Sequence, residues 1–188
     1  MLIFGVATAI IVGLSVWCLA RVHREYRRKQ TLSTLSVTGV WVLYLVHLGT
    51  TIAASALSVW CIPLVPTVSW GAGILLIGIG AIVCGIGTWS FHSFKRMSGQ
   101  ETTKLVTTGI YRWSRNPQNV GWVLLLLGVA LLGRSGLAVL LTVLFWGLFV
   151  GYTRLEEQYL GDVFGEEYRE YKGWSHRYFG PPRKPSQG

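Results

Sequence analysis

Charge is scarce in this chain. Of 188 residues only 13% are Asp, Glu, Lys or Arg, against 51% hydrophobic, a balance that belongs to a membrane protein and excludes an ordinary soluble domain. Acidic residues are scarcer still, eight against 17 basic ones, for a net charge of +9. The runs Met1 to Ala20, Val37 to Ile62, Trp70 to Phe91, Asn119 to Leu132 and Leu137 to Tyr152 have no charged residue at all. A spanning helix needs about 20 mainly apolar residues, and the first three runs meet that outright. The last two are short and joined by "GRSG", which reads as an antiparallel helical hairpin, tilted or partly re-entrant.

Other shortages narrow the functional classes. The three cysteines, Cys18, Cys61 and Cys84, form no CxxC pair and read as buried free thiols rather than a disulfide framework. His23, His47, His92 and His176 have no ligand spacing with one another or with cysteine, so no metal is expected. None of the glycines completes GxGxxG in a strand-turn-helix setting, which excludes a Rossmann-type nucleotide fold. With no soluble basic domain, the positive charge reads as topology and attraction to anionic membrane lipids, not as a nucleic-acid footprint. Met1 to Ala20 lacks a charged start and its basic cluster follows the apolar run, so it reads as a helix rather than a cleaved signal.

The basic residues are unevenly placed. Segments after the first, third and fifth runs hold 16 of the 17, Arg134 being the exception, and all eight acidic residues share that side. By the positive-inside rule that side is cytoplasmic, so the N-terminus lies outside and the tail inside; in a bacterium this is an inner-membrane protein. The expectation is a single all-α membrane domain over 1–188 with about five transmembrane helices. Residues 1–92 carry three of them, 93–118 a cytoplasmic linker, 119–153 the hairpin and 154–188 a helical cytoplasmic tail. Helix three repeats Gly71, Gly78 and Gly85, shadowed by Gly73, Gly80 and Gly87; rows seven residues apart are expected on one face, for close helix packing. In the tail, Leu155, Tyr159 and Val163 recur at helical spacing, Gly165 reads as a stop, "EEYREYK" as another amphipathic turn and "GPPRKPSQG" as a frayed end.

Polar chemistry gathers in "RWSRNPQNVGW", Arg112 to Trp122, at the entrance to an apolar run. Asn116 before Pro117 reads as a cap and a first helical position. A helix N-terminus there suits an anion or carboxylate, with Arg112 and Arg115 strengthening the field. From composition alone the same arginines read first as snorkelling to lipid phosphates.

"KLVTTGIYRWSRNPQNVGW", a hairpin and then "LEEQYLGDVFGEEYREYK" together resemble the isoprenylcysteine carboxyl methyltransferase and phospholipid methyltransferase superfamily of integral membrane enzymes. The likeness covers Lys104 to Lys172. It implies S-adenosylmethionine in a cytoplasm-facing pocket and a lipidic or lipophilic acceptor. The implied cofactor residues are Lys104, Leu105, Val106, Tyr111, Arg115, Asn116, Pro117, Gln118, Asn119, Gly121, Glu156 and Glu157, with Gly85 and Gly87 as a Gly-x-Gly near the end of helix three. A helix start with arginines suits the cofactor carboxylate, Glu156 or Glu157 its ammonium, and aromatic faces its sulfonium and adenine.

In the isoprenylcysteine branch His stands at the place of Asn116, Tyr at that of Asn119, and a substrate-handling Arg at that of Tyr152. These departures imply an amine-bearing or other lipophilic acceptor rather than a free isoprenylcysteine carboxylate. Asn116, Arg154 and His92 are the candidate catalytic residues, His92 as proton acceptor. His47, in mid-helix, reads as hydrogen-bonded to an adjacent helix. Two other readings are an NADPH-dependent membrane reductase of the sterol reductase type and a non-catalytic membrane protein.

Overall fold

The computed structural model describes residues 1–28 and 31–183; Lys29 of the first basic cluster and the last five residues of "GPPRKPSQG" lie outside the described residues. Seven α-helices follow in order: α1 Leu2–Arg27, α2 Thr34–Ala56, α3 Pro66–Trp89, α4 Phe94–Met97, α5 Pro117–Leu132, α6 Gly136–Phe164 and α7 Glu166–Trp174, with a 3-10 turn over Gly109–Arg112. Helices α1, α2, α3 and α6 are long and apolar enough to cross a membrane, while α5, with 16 residues, is a shorter apolar helix. The protein is an all-α integral membrane protein whose last two apolar helices form the expected hairpin.

Local chemistry fixes the helix ends. Ser33 caps α2 by accepting from the Ser36 amide at 3.3 Å, and donates its own hydroxyl to Glu25 at 2.6 Å, which ties the end of α1 to the start of α2. Pro66 and Pro117 occupy first-turn positions, where the missing amide hydrogen costs nothing. Gly165 ends α6 at φ +55, a left-handed conformation that glycine adopts without penalty. Residues on the inner faces of α1, α2 and α6, among them Ile11, Leu43, Ala54, Ala138 and Leu141, form the main core cluster. His47 is buried there, its Nε2 2.9 Å from the Leu141 carbonyl of α6, the helix-to-helix bond expected of it.

The tightest interface joins α3 to α5. A Cβ on Gly80 would stand 2.6 Å from the Gly121 carbonyl oxygen and 2.7 Å from the Leu125 amide, and one on Gly128 would stand 2.7 Å from the Gly73 carbonyl oxygen. The backbones thus touch through glycine. Only Gly73, Gly80 and Gly87 serve this contact; around Gly71, Gly78 and Gly85 there is open space. The expectation of two rows on one face fails because an offset of two residues turns about 200° around a helix, which puts the second row on the opposite side. The cysteine expectation needs a similar correction: Cys18 is buried and Cys84 half-buried, but Cys61 is exposed in the α2–α3 loop.

At the end of the bundle away from the basic residues, the α2–α3 loop grips the α5–α6 turn. Ser135 donates its hydroxyl to the Val59 carbonyl at 2.8 Å, the Gly136 amide donates to Trp60 at 3.0 Å, and the Ile62 amide donates to Arg134 at 2.7 Å. Ser69 of α3 and Ser55 of α2 donate to the carbonyls of Leu131 and Val129, near the end of α5.

Candidate functional site

At the basic end, α6, α7 and the 91–116 segment enclose a cavity. Its walls include Phe91, Arg96, Glu101, Thr102, Lys104, Leu105, Val106 and Tyr111 from that segment, Glu156 and Leu160 from α6, and Tyr168 and Tyr171 from α7. The empty space is about 730 Å³ including its open mouth. Tyr171 donates to the Tyr111 carbonyl at 2.8 Å and Tyr159 to Thr102 at 3.2 Å, so the amphipathic tail holds the linker in place. Burial pushes the hydroxyls of Tyr111, Tyr168 and Tyr171 above the ordinary tyrosine range, so they remain neutral donors.

The "RNP" motif is committed in a way its spacing does not reveal. Arg115 reaches Glu157 through Nη2 at 2.9 Å and Nε at 3.2 Å, and donates through Nη1 to the Ser175 carbonyl at 2.7 Å. Arg177 grips the same carboxylate at 2.7 and 3.0 Å, and this bond holds the Arg177 guanidinium above its ordinary range. The Asn116 side chain does not cap α5; its Nδ2 donates to the Arg177 carbonyl at 3.0 Å, because the strap after α7 supplies a nearer acceptor. The strap continues through Tyr178, which packs on Trp146 and Phe149 of α6, to Gly180, whose amide donates to Trp113 at 3.0 Å. Its described part is therefore bonded rather than frayed.

A second cavity adjoins the first. Trp41 and Tyr44 of α2, Cys84 and Thr88 of α3, Met97 and Ser98 near α4, Gln118, Asn119 and Trp122 of α5, and Tyr152 and Glu156 of α6 line it, with Leu32, Val37 and Val40. Its empty space is about 810 Å³ with its mouth. Helix α2 packs on α1, α5 and α6, whereas α3 packs on α5, and the cavity lies between α2 and α3 with α5 and α6 completing its wall. Glu156 lines both cavities.

The residues singled out in the sequence separate accordingly. Lys104, Leu105, Val106, Tyr111, Arg115, Asn116, Glu156 and Glu157 meet around the first cavity, and Gln118 and Asn119 line the second. Pro117 and Gly87 pack against each other where α3 meets α5, and Gly121 lies in the glycine contact. Gly85 faces open space. His92 is exposed, its Nδ1 2.5 Å from the Trp89 carbonyl, and Arg154 is exposed on α6; neither lines a described cavity. Sequence reasoning missed Arg96, Trp41, Tyr44 and Trp122 as cavity walls and Arg177 as the second partner of Glu157. The aromatic density of the tail was the available signal for Tyr168 and Tyr171; Arg177 carries none.

The two cavities share one wall at Glu156. The sequence profile of the phospholipid methyltransferase family matches residues 68–167, more than half of the chain, and the chain belongs to that family. Among curated relatives, protein-S-isoprenylcysteine O-methyltransferase of Saccharomyces cerevisiae is 34% identical over 84 residues, 44% of this chain and 35% of that protein. The protein of the same name from Rattus norvegicus is 31% identical over 119 residues, 58% of this chain and 41% of that protein. A probable protein-S-isoprenylcysteine O-methyltransferase of Oryza sativa subsp. japonica is 27% identical over 176 residues, 90% of each chain. The matched region thus spans well under half the length of the yeast and rat relatives. No solved structure matches the chain.

Proposed function

We propose that the protein is an S-adenosylmethionine-dependent methyltransferase that draws the methyl donor into the first cavity from the cytoplasm and a lipophilic acceptor into the second from the bilayer. The observation that carries this reading is the shared wall at Glu156: a sulfonium placed there faces both spaces. The first cavity's side chains suit each part of the donor. Lys104 and Arg96 offer positive charge to its carboxylate, tyrosines and Phe91 offer faces to adenine, and Glu156, which has no hydrogen bond or ion pair among the described residues, offers negative charge to its cationic centre. Glu157 is already matched by Arg115 and Arg177, so it positions the motif rather than meeting the ligand.

When bound, the donor supplies an activated methyl and its own leaving group. What remains for the protein is to align the two ligands and exclude water, and orientation of that kind is worth several kcal/mol or more. S-adenosylhomocysteine, the demethylated product, is expected to bind the detergent-solubilised protein with micromolar-range affinity, whereas NADPH is not. Calorimetry in which NADPH binds and S-adenosylhomocysteine does not would replace this reading with the reductase one. Glu156→Gln should weaken donor binding roughly tenfold, the value of a lost charge-assisted contact.

A further inference from the structure

We propose that a groove between α1 and α6 is a separate lipid site, which takes an acyl chain carrying a hydroxyl group part-way along its length, and that His47 accepts the hydrogen bond of that hydroxyl. Val12, Ser15 and Val16 of α1 and Val143 and Gly147 of α6 line the groove, with His47 of α2 at its floor, and its empty space is about 780 Å³ with its mouth. It shares no lining residue with either cavity described above. Val12, Val16 and Val143 on its rim are exposed, whereas His47 is 1% exposed. The groove therefore runs inward from the apolar outer surface to the imidazole.

The polar groups of this groove have acceptors to offer and no spare donor. His47 Nε2 lies 2.9 Å from the Leu141 carbonyl; a carbonyl only accepts, so Nε2 carries the hydrogen and donates it. No charged residue lines the groove, and an unpaired imidazolium among apolar side chains is heavily disfavoured. The neutral ring keeps a lone pair on Nδ1, which is buried with no hydrogen-bond partner among the described residues. Ser15 donates its own hydroxyl to the Ile11 carbonyl at 2.7 Å, so only its oxygen remains, again as an acceptor. Within hydrocarbon no water is at hand to meet such groups. A matching ligand must bring a donor: a hydroxyl does, whereas an ester, a ketone or a carboxylate does not. Depth then selects where the hydroxyl stands. His47 is nine residues from Ala56 at one end of α2 and 13 from Thr34 at the other, about 14 Å and about 20 Å along the helix. A head-group hydroxyl stays with water at the surface, so the donor that reaches this depth is one borne on the chain itself.

The test uses the full chain, freed of lipid in dodecyldimethylamine oxide, a detergent without a hydroxyl. The probes are methyl 12-hydroxystearate, with its hydroxyl in mid-chain, methyl 2-hydroxystearate, with its hydroxyl beside the ester, and methyl stearate, with none. Native mass spectrometry should show the mid-chain alcohol retained about fivefold or more better than the other two, the scale of one hydrogen bond to an otherwise unpaired buried group. In protein labelled with nitrogen-15 at histidine, the His47 Nδ1 resonance should move upfield with that probe alone. His47→Leu and Gly147→Leu should each erase the preference. A Cβ at Gly147 meets nothing within 4 Å, so leucine there fills the groove while leaving the melting temperature and S-adenosylhomocysteine binding unchanged; if His47→Leu does not fold, Gly147→Leu decides. Equal retention of the three probes by the wild type overturns the proposal, as does best retention of the alcohol beside the ester or a preference that survives in Gly147→Leu. A His47 Nδ1 resonance already at a hydrogen-bonded position before any probe is added also overturns it, since a water or a side chain of a second copy then meets that nitrogen. Retention of the mid-chain alcohol without S-adenosylhomocysteine binding would refute the methyltransferase reading alone.

Discussion

Glu157→Ala is expected to be among the most damaging single substitutions in the protein, lowering stability by about 3 kcal/mol or more and abolishing binding of S-adenosylhomocysteine. The carboxylate is 7% exposed and Arg115 8%, and removing one member of a buried pair leaves the other charge unmatched, at a cost of about 3–5 kcal/mol. Arg177 is 35% exposed, so water screens that half of the arrangement and Arg115 carries most of the effect. With Glu157 gone the strap loses its anchor, and with it Asn116 and the wall of the first cavity move. The comparison is Arg169→Ala, which breaks a pair with Glu166 in which both side chains are 70% exposed. That change should stay within about 0.5 kcal/mol. Thermal unfolding in detergent measures both, and equal shifts would reduce the Glu157 cluster to a surface feature.

The second large effect is expected at Gly80. Leucine there drives its Cβ into the Gly121 carbonyl and the Leu125 amide, both backbone atoms of a helix that cannot yield as a flexible side chain does. Overpacking of this kind costs about 1–3 kcal/mol even where side chains give way, and more is expected where backbone meets backbone. Gly78→Leu, two residues earlier, faces open space and should change the monodisperse yield and melting temperature little. If the two variants behave alike, α3 and α5 do not pack through glycine.

These two sites also mark what the sequence disclosed. Helix count and hairpin followed from runs without charge, since apolar length is a nearly sufficient signal in a membrane. The start of α5 followed from Pro117. What stayed hidden depends on contacts distant along the chain: Asn116 and Arg177 are 61 positions apart, and Arg115 and Glu157 are 42. Spacing within a motif carries no record of the strap that returns to it. The "EE" pair illustrates the limit well, because adjacent glutamates stand about 100° apart on a helix. One therefore turns toward two arginines and the other toward the shared wall of two cavities.

The grip of the α2–α3 loop on the α5–α6 turn has a consequence for how the chain is made. Helix α5 has 16 residues and is about 24 Å long, short of a hydrocarbon layer of about 30 Å. Its far end and the turn after it would carry unsatisfied carbonyls and amides into lipid if they entered alone. Val59, Trp60, Ile62, Ser55 and Ser69 meet those groups, and every one of these residues is translated before the turn that needs it. Synthesis thus prepares the receptacle ahead of its occupant, so that a ribosome-bound chain can lodge its shortest apolar helix as soon as that helix emerges.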